Sequence, residues 1–197
     1  MQNPCMPLKS APTAKPKTYI AWLRAIGPIT HRKMSMTALG EACRAAGFDA
    51  VRVWAQTGNL LLASPDPAAR VAQRLDAIVA GFAIGLNNRT LVRSLAELKA
   101  VIRVNPFPEA AIERPSHLLV CFMAGAAEAE AAAELQAHPG PERLRVIGRE
   151  VYVDYAESVG TSKIGPGVIE RRLGLAGTAR NWNTIRKMVE LAAVGAS

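Results

Sequence analysis

The sequence has few of the residues that build disulfides and metal sites. It contains three cysteines and three histidines in 197 residues, and Cys5, Cys43 and Cys121 form no Cys-x-x-Cys pair. An odd number of widely spaced cysteines favours neither a disulfide framework nor a zinc site, and it fits a reducing cytosol. We therefore expect a cytoplasmic protein with no metal site and no cofactor.

Long hydrophobic runs and the common catalytic motifs are also absent. No apolar window is long enough to cross a bilayer, so no membrane partner is expected, and the N-terminus lacks the apolar core of a signal peptide. Neither the Walker glycine spacing nor a Gly-x-Ser-x-Gly elbow occurs. The sequence therefore names no reaction and leaves open whether the protein is an enzyme.

What the chain does have is apolar residues and positive charge. Half of its residues are hydrophobic, enough for a sizeable core, and 24 Lys and Arg against 16 Asp and Glu give a formal charge of +8. A positive excess favours an anionic partner, either a small molecule or a nucleic acid. No basic run is long enough to form a nucleic-acid-binding arm, so the small molecule is preferred.

The order of the predicted elements indicates an internal duplication. After a proline-containing tail at residues 1–17, which we expect to be disordered, the pattern reads strand, helix, strand, strand, helix, strand, helix. The same order repeats after residue 115. This is the order of a ferredoxin-like βαββαβ unit with one added helix. We therefore predict an α+β fold of two tandem ferredoxin-like subdomains, each with an extra C-terminal helix, at residues 18–105 and 116–197, joined by a proline-rich linker at residues 106–115.

Several helix boundaries can be read from capping residues. Ser35 is placed to cap one helix, and Ser94 with Glu97 forms a capping box for another. The pair Asp66-Pro67 predicts an N-cap followed by proline at the first helical position. For the last helix, Asn181 and Asn183 are alternative caps.

Two clusters of polar residues precede predicted helices and are candidate anion sites. The first is Arg24, Arg32 and Lys33, and the second is Thr161, Ser162 and Lys163. Backbone N–H groups and the helix dipole favour an anion at such positions. The alternative is that the hydroxyls satisfy loop backbone and that the cations are solvated.

The segment Arg180-Asn181-Trp182-Asn183 is the most concentrated group of polar and aromatic residues. As a recognition patch, the arginine would bind a carboxylate or phosphate, the amides would donate and accept, and the indole would stack on a ring. As a structural segment, Arg180 would form a salt bridge at the interface between the halves, an asparagine would cap the last helix, and Trp182 would fill the seam. Both interpretations stay open at this stage.

Acid–base chemistry has weaker support. Glu150, Asp154, Tyr155 and Glu157 lie around the second predicted hairpin, but no pair is poised by its spacing. Carboxylates at strand ends are expected to be solvated rather than catalytic.

Four motifs resemble the domain-of-unknown-function 1697 family. They are Tyr19-Ile20-Ala21-Trp22-Leu23-Arg24, Thr57-Gly58-Asn59, Gly160-Thr161-Ser162-Lys163 and Thr178-Ala179-Arg180-Asn181-Trp182-Asn183-Thr184. The resemblance implies a pair of ferredoxin-like subdomains and brings no established activity. One loop departs from the family's usual Arg-Gly-Ile-Asn-Val-Gly-Gly: here it reads Arg24-Ala25-Ile26-Gly27-Pro28-Ile29-Thr30, and Pro28 has no N–H to offer a ligand.

These observations lead to a functional hypothesis. We expect a binding protein that takes an anionic or heterocyclic small ligand in the cleft between its halves. The residues predicted to line that cleft are Arg24, Lys33, Thr57, Asn59, Lys163, Arg180, Asn181 and Asn183. The alternatives are a nucleic-acid-binding protein that uses its open sheet faces, although its strands lack an exposed aromatic pair, and an enzyme of unrecognised chemistry.

Overall fold

The computed structural model describes residues 14–24, 26, 28–85 and 89–194. The elements of the first half are, in chain order, β1 (Lys17–Leu23), α1 (Pro28–Lys33), α2 (Met36–Ala45), β2 (Asp49–Trp54), β3 (Asn59–Ser64), α3 (Ala68–Ala80), β4 (Thr90–Ser94) and α4 (Leu95–Arg103). The elements of the second half are α5 (Pro108–Glu113), β5 (Leu118–Met123), α6 (Ala129–Gln136), β6 (Arg143–Ile147), β7 (Glu150–Asp154), α7 (Pro166–Leu173), β8 (Gly177–Asn181) and α8 (Trp182–Val194).

Each half forms a four-stranded antiparallel sheet. The strand orders are β2-β3-β1-β4 and β6-β7-β5-β8, so the first strand of each half lies between the third and the fourth. This is the ferredoxin-like order, with α4 and α8 as the added C-terminal helices. The predicted fold class is confirmed.

The helix caps follow the sequence in most places. The Ser35 side chain accepts from the backbone N–H of Ala38 at the start of α2, and Ser94 with Glu97 forms the predicted capping box of α4. Asn181, rather than Asn183, caps α8 by accepting from the N–H of Thr184. The predicted Asp66 cap is wrong, because Pro67 holds that position and makes no side-chain cap.

Two short helices lie where the sequence predicted irregular chain. The helix α1 occupies part of the loop after β1, and α5 occupies part of the proline-rich linker, with Pro108 at its first turn. A proline costs no helical hydrogen bond at that position, so it can begin a helix as readily as interrupt one. The linker boundaries and the disordered tail stay predictions, and residues 1–13 of that tail lie outside the described residues.

Each sheet buries both faces of its central strands, while the edge strands β2 and β6 keep exposed residues. One face of each sheet packs on its own helices: Tyr19, Ala21 and Leu23 contact the α2–α3 side, and Cys121 and Met123 contact the α6–α7 side. The opposite faces of the two sheets pack against each other and against α4 and α8.

The central core between the sheets covers the inner faces of the central strands, whereas the nucleic-acid alternative assumed open sheet faces; that alternative stays a prediction. Ile20 and Trp22 of β1 share this core with Phe122 of β5 and Tyr152 of β7. The rings of Trp22 and Phe122 stack with their centroids 3.8 Å apart.

No helix among the described residues is both long and apolar enough to cross a membrane.

Candidate functional site

A charged cleft of about 540 Å³ lies between the two halves. The first half contributes Arg24 and Arg89, and the second half contributes one side of α7 and the residues that lead into β8. Its lining residues are Arg24, Arg89, Gly167, Glu170, Arg171, Gly174, Leu175 and Ala176. The volume falls within the range of small-molecule sites, about 300–1,000 Å³.

The first wall is set by the pairing of β1 with β4. Leu23 lies opposite Thr90 in the antiparallel register, so Arg24 directly after β1 and Arg89 directly before β4 emerge at the same end of the sheet. The N–H of Arg24 donates to the carbonyl of Arg89 at 3.0 Å. This hydrogen bond fixes the two backbones beside each other.

The second wall is one face of α7. Gly167, Glu170, Arg171 and Gly174 are spaced three and four residues apart, which places them along one side of a helix. Pro166 begins α7, and Gly174 ends it with a φ of 63°. This positive φ is a left-handed backbone conformation, which glycine adopts without strain.

Arg24 and Glu170 join the two walls by an ion pair. The Arg24 Nε lies 3.3 Å from one oxygen of Glu170 and 3.1 Å from the other, and its Nη2 also donates to this carboxylate. This hydrogen bonding with Glu170 raises the pKa of Arg24. The carboxylate therefore neutralises one of the three arginines of the cleft.

Arg89 and Arg171 are the two cleft arginines that no carboxylate of the described residues pairs with. Both side chains are exposed, and neither makes an ion pair with any residue in the described ranges. The cleft thus presents two uncompensated guanidinium groups, one from each half.

Arg180 lies in the interface between the halves rather than in this cleft. It is 9% exposed, and its Nε donates to Oδ1 of Asn59 at 2.5 Å. Its Nη2 donates to the carbonyls of Leu23 at 3.2 Å and Thr57 at 2.8 Å. Burial lowers its pKa to about 10. The predicted interface salt bridge is therefore wrong, since the partners of this cation are an amide and carbonyl oxygens.

Arg93 makes the corresponding contacts from the first half. It is 2% exposed, its Nε donates to Glu150 at 2.7 Å, and its Nη2 donates to the carbonyl of Met123 at 2.8 Å. Burial lowers the pKa of Arg93, against the opposing effect of the Glu150 carboxylate. Each half therefore inserts one buried arginine into the other.

The predicted site residues divide into several groups. Thr57, Asn59 and Arg180 come together, since the Asn59 Nδ2 donates to Oγ1 of Thr57 at 3.0 Å while its Oδ1 accepts from Arg180. Arg24 lies in the cleft, one residue beyond the Leu23 carbonyl that Arg180 contacts.

The remaining members lie apart from both places. Lys33 donates to the carbonyl of Ala83 at 3.1 Å, Asn181 caps α8, and Asn183 and Lys163 are exposed. None of the four lines the cleft. Their role in ligand binding stays a prediction.

The hydroxyls of the second anion candidate already have hydrogen-bond partners, in their own loop and at Glu142. The Thr161 Oγ1 donates to the carbonyl of Ser158 at 3.0 Å. The Ser162 hydroxyl bonds Glu142 and accepts from the N–H of Ile164. The structural interpretation of these hydroxyls is confirmed.

The expectation of solvated strand-end carboxylates is wrong for Asp154. Its side chain is 2% exposed and accepts from Arg114 and Arg143. Burial alone would raise the pKa of Asp154, but the hydrogen bonds from the two arginines lower it. The carboxylate ties β6 and the segment after α5 to the end of β7.

The cysteines of the described chain are core residues. Burial raises the pKa of the Cys43 thiol to about 11 and that of Cys121 to about 12. Such thiols are poor nucleophiles near neutral pH. Within the described ranges, no group of three or more His, Cys, Asp and Glu side chains is arranged to hold a metal ion.

Sequence reasoning missed Arg89, Glu170 and Arg171. Each looks like an ordinary surface residue in the sequence, and the pattern at 167, 170, 171 and 174 gains meaning only when α7 is placed against the first half. The signal that the sequence did offer was the glycine at each end of that pattern. Glycine has no side chain, so Gly167 and Gly174 leave one side of α7 open.

Known proteins support the fold and leave the activity open. The family model described as a protein of unknown function, DUF1697, matches residues 17–152. The chain belongs to this family. The matched range holds the first two motifs of the resemblance and ends before the Gly160–Lys163 and Thr178–Thr184 motifs.

A solved structure supports the fold of both halves, including the part of the chain that lies beyond the family match. The conserved bacterial protein SP0830 from Streptococcus pneumoniae has a TM-score of 0.68 at 16% identity, over 90% of this chain and 99% of that chain. At this identity the likeness concerns the fold alone. No curated protein matches the sequence. The family membership thus comes without a reaction or a ligand.

Proposed function

We propose that the protein binds a small anionic ligand, a phosphate monoester or a carboxylate, in the cleft between its halves. The proposal is carried by Arg89 and Arg171, which line one cavity from opposite halves and make no ion pair with a described residue. An exposed surface arginine is common, but two that converge on one concave site and are not paired with a carboxylate of the described residues favour an anion there.

Arginine suits this role for physical reasons. Its planar guanidinium stays charged and offers parallel N–H groups that match two oxygens of a phosphate or carboxylate. A ligand held by Arg89 and Arg171 would connect the two halves, as the Arg24–Glu170 ion pair already does.

The proposal keeps one part of the hypothesis made from the sequence and narrows another. Arg24 remains a lining residue, while the contacts of Arg180 and Asn59 support a role in holding the halves together. A heterocyclic ligand was expected from stacking on Trp182, but that side chain is 4% exposed and belongs to the central core. An anionic group is therefore the feature that we propose for recognition.

The test is calorimetric titration with glucose 6-phosphate, after a thermal-shift screen of phosphorylated sugars and small carboxylates. We expect binding that weakens as salt is raised, because the ligand meets partly exposed charges. Arg89→Gln and Arg171→Gln should each weaken binding by about tenfold or more, since one charged hydrogen bond is worth roughly 1.5–3 kcal/mol and each 1.4 kcal/mol is a factor of about ten.

The matched control is Arg52→Gln. Arg52 is an exposed arginine on β2 and does not line the cleft, so the change lowers the net charge equally without touching the site. Equal losses in the control and the two cleft variants would show a general charge effect and refute the proposed site. Failure of every compound in the screen to bind would refute the proposed function.

A further inference from the structure

The cleft is not uniformly positive. Glu170 lies in the same wall as Arg171, and its side chain, which pairs with Arg24, is still 18% exposed. A carboxylate in the lining repels an anionic group at short range and attracts a cationic one. The presence of Glu170 therefore restricts the kind of anion that fits.

The Glu170 carboxylate keeps acceptor capacity after pairing with Arg24. Its two oxygens offer about four acceptor sites, and a single guanidinium, that of Arg24, approaches them from the first half. Since Glu170 also lines the cavity, a donor group of a ligand can reach the remaining sites.

We infer that the ligand carries an ammonium group together with its anionic group, as an amino sugar phosphate does. This inference rests on the proposed function. Arg89 and Arg171 receive the anionic end, and Glu170 receives the ammonium end. A nucleic acid strand or another polyanion lacks the second group and would meet the carboxylate with like charge.

The experiment compares two ligands that differ at one position. Glucosamine 6-phosphate carries an ammonium group where glucose 6-phosphate carries a hydroxyl, and both have the same phosphate. Calorimetric titration of the wild-type protein should give an affinity for the amino sugar that is about tenfold higher, the factor that one charged hydrogen bond contributes.

Glu170→Gln is the diagnostic variant. It keeps the shape of the side chain and removes the charge, so it should bind the amino sugar more weakly and glucose 6-phosphate more tightly than the wild type does. The preference of the wild-type protein for the amino sugar should therefore disappear in this variant. Thermal unfolding of the variant checks that its fold is retained. The comparison of the two sugars on the wild-type protein does not depend on the variant.

The outcomes separate the two proposals. Equal affinity of the wild-type protein for both sugars, or a preference that survives in Glu170→Gln, would overturn the inference and leave the anion-binding cleft in place. Binding of neither sugar would also overturn the inference, whereas the proposed function is overturned only if no compound of the anion screen binds.

Discussion

Arg93 and Arg180 occupy equivalent positions in the two halves, and each reaches into the other half. Arg93 lies opposite Ile20 on the central strand of its sheet, and Arg180 lies opposite Val120. Both donate through Nη1 to the carbonyl of the preceding residue. Their acceptors across the interface differ, because Arg93 meets the carboxylate of Glu150 and Arg180 meets an amide.

The contacts of Arg180 predict a large loss of stability when its side chain is shortened. Arg180→Met removes the donor to Asn59 and to the carbonyls of Leu23 and Thr57, of which the Leu23 contact is buried. We expect the free energy of unfolding to fall by about 2–4 kcal/mol in urea titration. Arg180→Lys should recover little, because one ammonium cannot reproduce the fork of donors.

The control for Arg180 is Arg186→Met, which changes an exposed arginine on α8. Its expected effect is within about 0.5 kcal/mol, as is usual for surface substitutions. If Arg180→Met were as mild as this control, the reciprocal arginine contacts would not hold the halves together.

Asp154 predicts part of the acid sensitivity of the fold. Because Arg114 and Arg143 hold its pKa below the ordinary value, its stabilising contribution is present above about pH 4, the unfolded value. It is lost as the pH falls through the lower folded value. Asp154→Asn should therefore cost about 3–5 kcal/mol near neutral pH and less in acid.

Urea unfolding of both proteins at about pH 7 and about pH 3 tests this prediction. The gap between wild type and Asp154→Asn should narrow at the lower pH. A gap of the same size at both would mean that the carboxylate charge is not what stabilises this region. Glu157→Gln, at an exposed carboxylate near the same hairpin, should leave the acid profile unchanged.

The three tyrosines predict a cooperative alkaline transition. Tyr19, Tyr152 and Tyr155 are all buried, and burial is the main cause that raises the pKa of each phenol. A raised acid pKa contributes stability that is fully present below about pH 10, the unfolded value, and is lost as the pH rises through the folded values. The folded protein should therefore form little tyrosinate until it unfolds.

Ultraviolet titration of tyrosinate, followed together with circular dichroism, tests this expectation. Ionisation and loss of structure should coincide, whereas protein unfolded in guanidinium should titrate smoothly near pH 10. Smooth ionisation near that pH while the circular dichroism stays native would contradict the burial of these phenols.

The sequence was sufficient for the fold because local signals agreed with one another. Apolar runs, capping residues and the repeated element order all indicated two ferredoxin-like units. A strand such as β5 is apolar along its whole length because both of its faces are buried. The sheet-on-sheet packing could not be read, because an apolar strand does not say which element covers each face.

The site was less accessible to sequence reasoning for a related reason. Arg180 is prominent in the sequence, but a polar residue beside a helix start gives no sign that its acceptors lie more than 120 positions away, as Asn59 does. Arg89 and Arg171 are inconspicuous, and only the tertiary arrangement brings them to one cavity. Long-range pairing decided the role of each of these residues.

Gly58 and Gly148, which lie in the hairpin turns of the two halves, offer a matched pair for the last prediction. Both have a left-handed backbone, with φ of +71° and +62°. A Cβ on Gly58 would lie 2.8 Å from the Cβ of Leu23, while one on Gly148 would meet nothing closer than 3.8 Å. Alanine should cost about 1–2 kcal/mol at either site from the backbone alone.

Gly58→Ala should cost clearly more than Gly148→Ala, because the clash would also displace Leu23. The N–H of Leu23 donates to the carbonyl of Gly58 at 2.8 Å, and its own carbonyl accepts from Arg180. We expect a total loss of about 3–5 kcal/mol for Gly58→Ala in urea unfolding, which adds the cost of overpacking to the backbone strain. In an Arg180→Met background the additional loss should shrink, since the contact that the displaced carbonyl would lose is already gone. Equal losses for the two alanine variants would show that the contact with Leu23 adds nothing to the cost at Gly58. The first hairpin turn would then have no role in positioning Arg180 through Leu23.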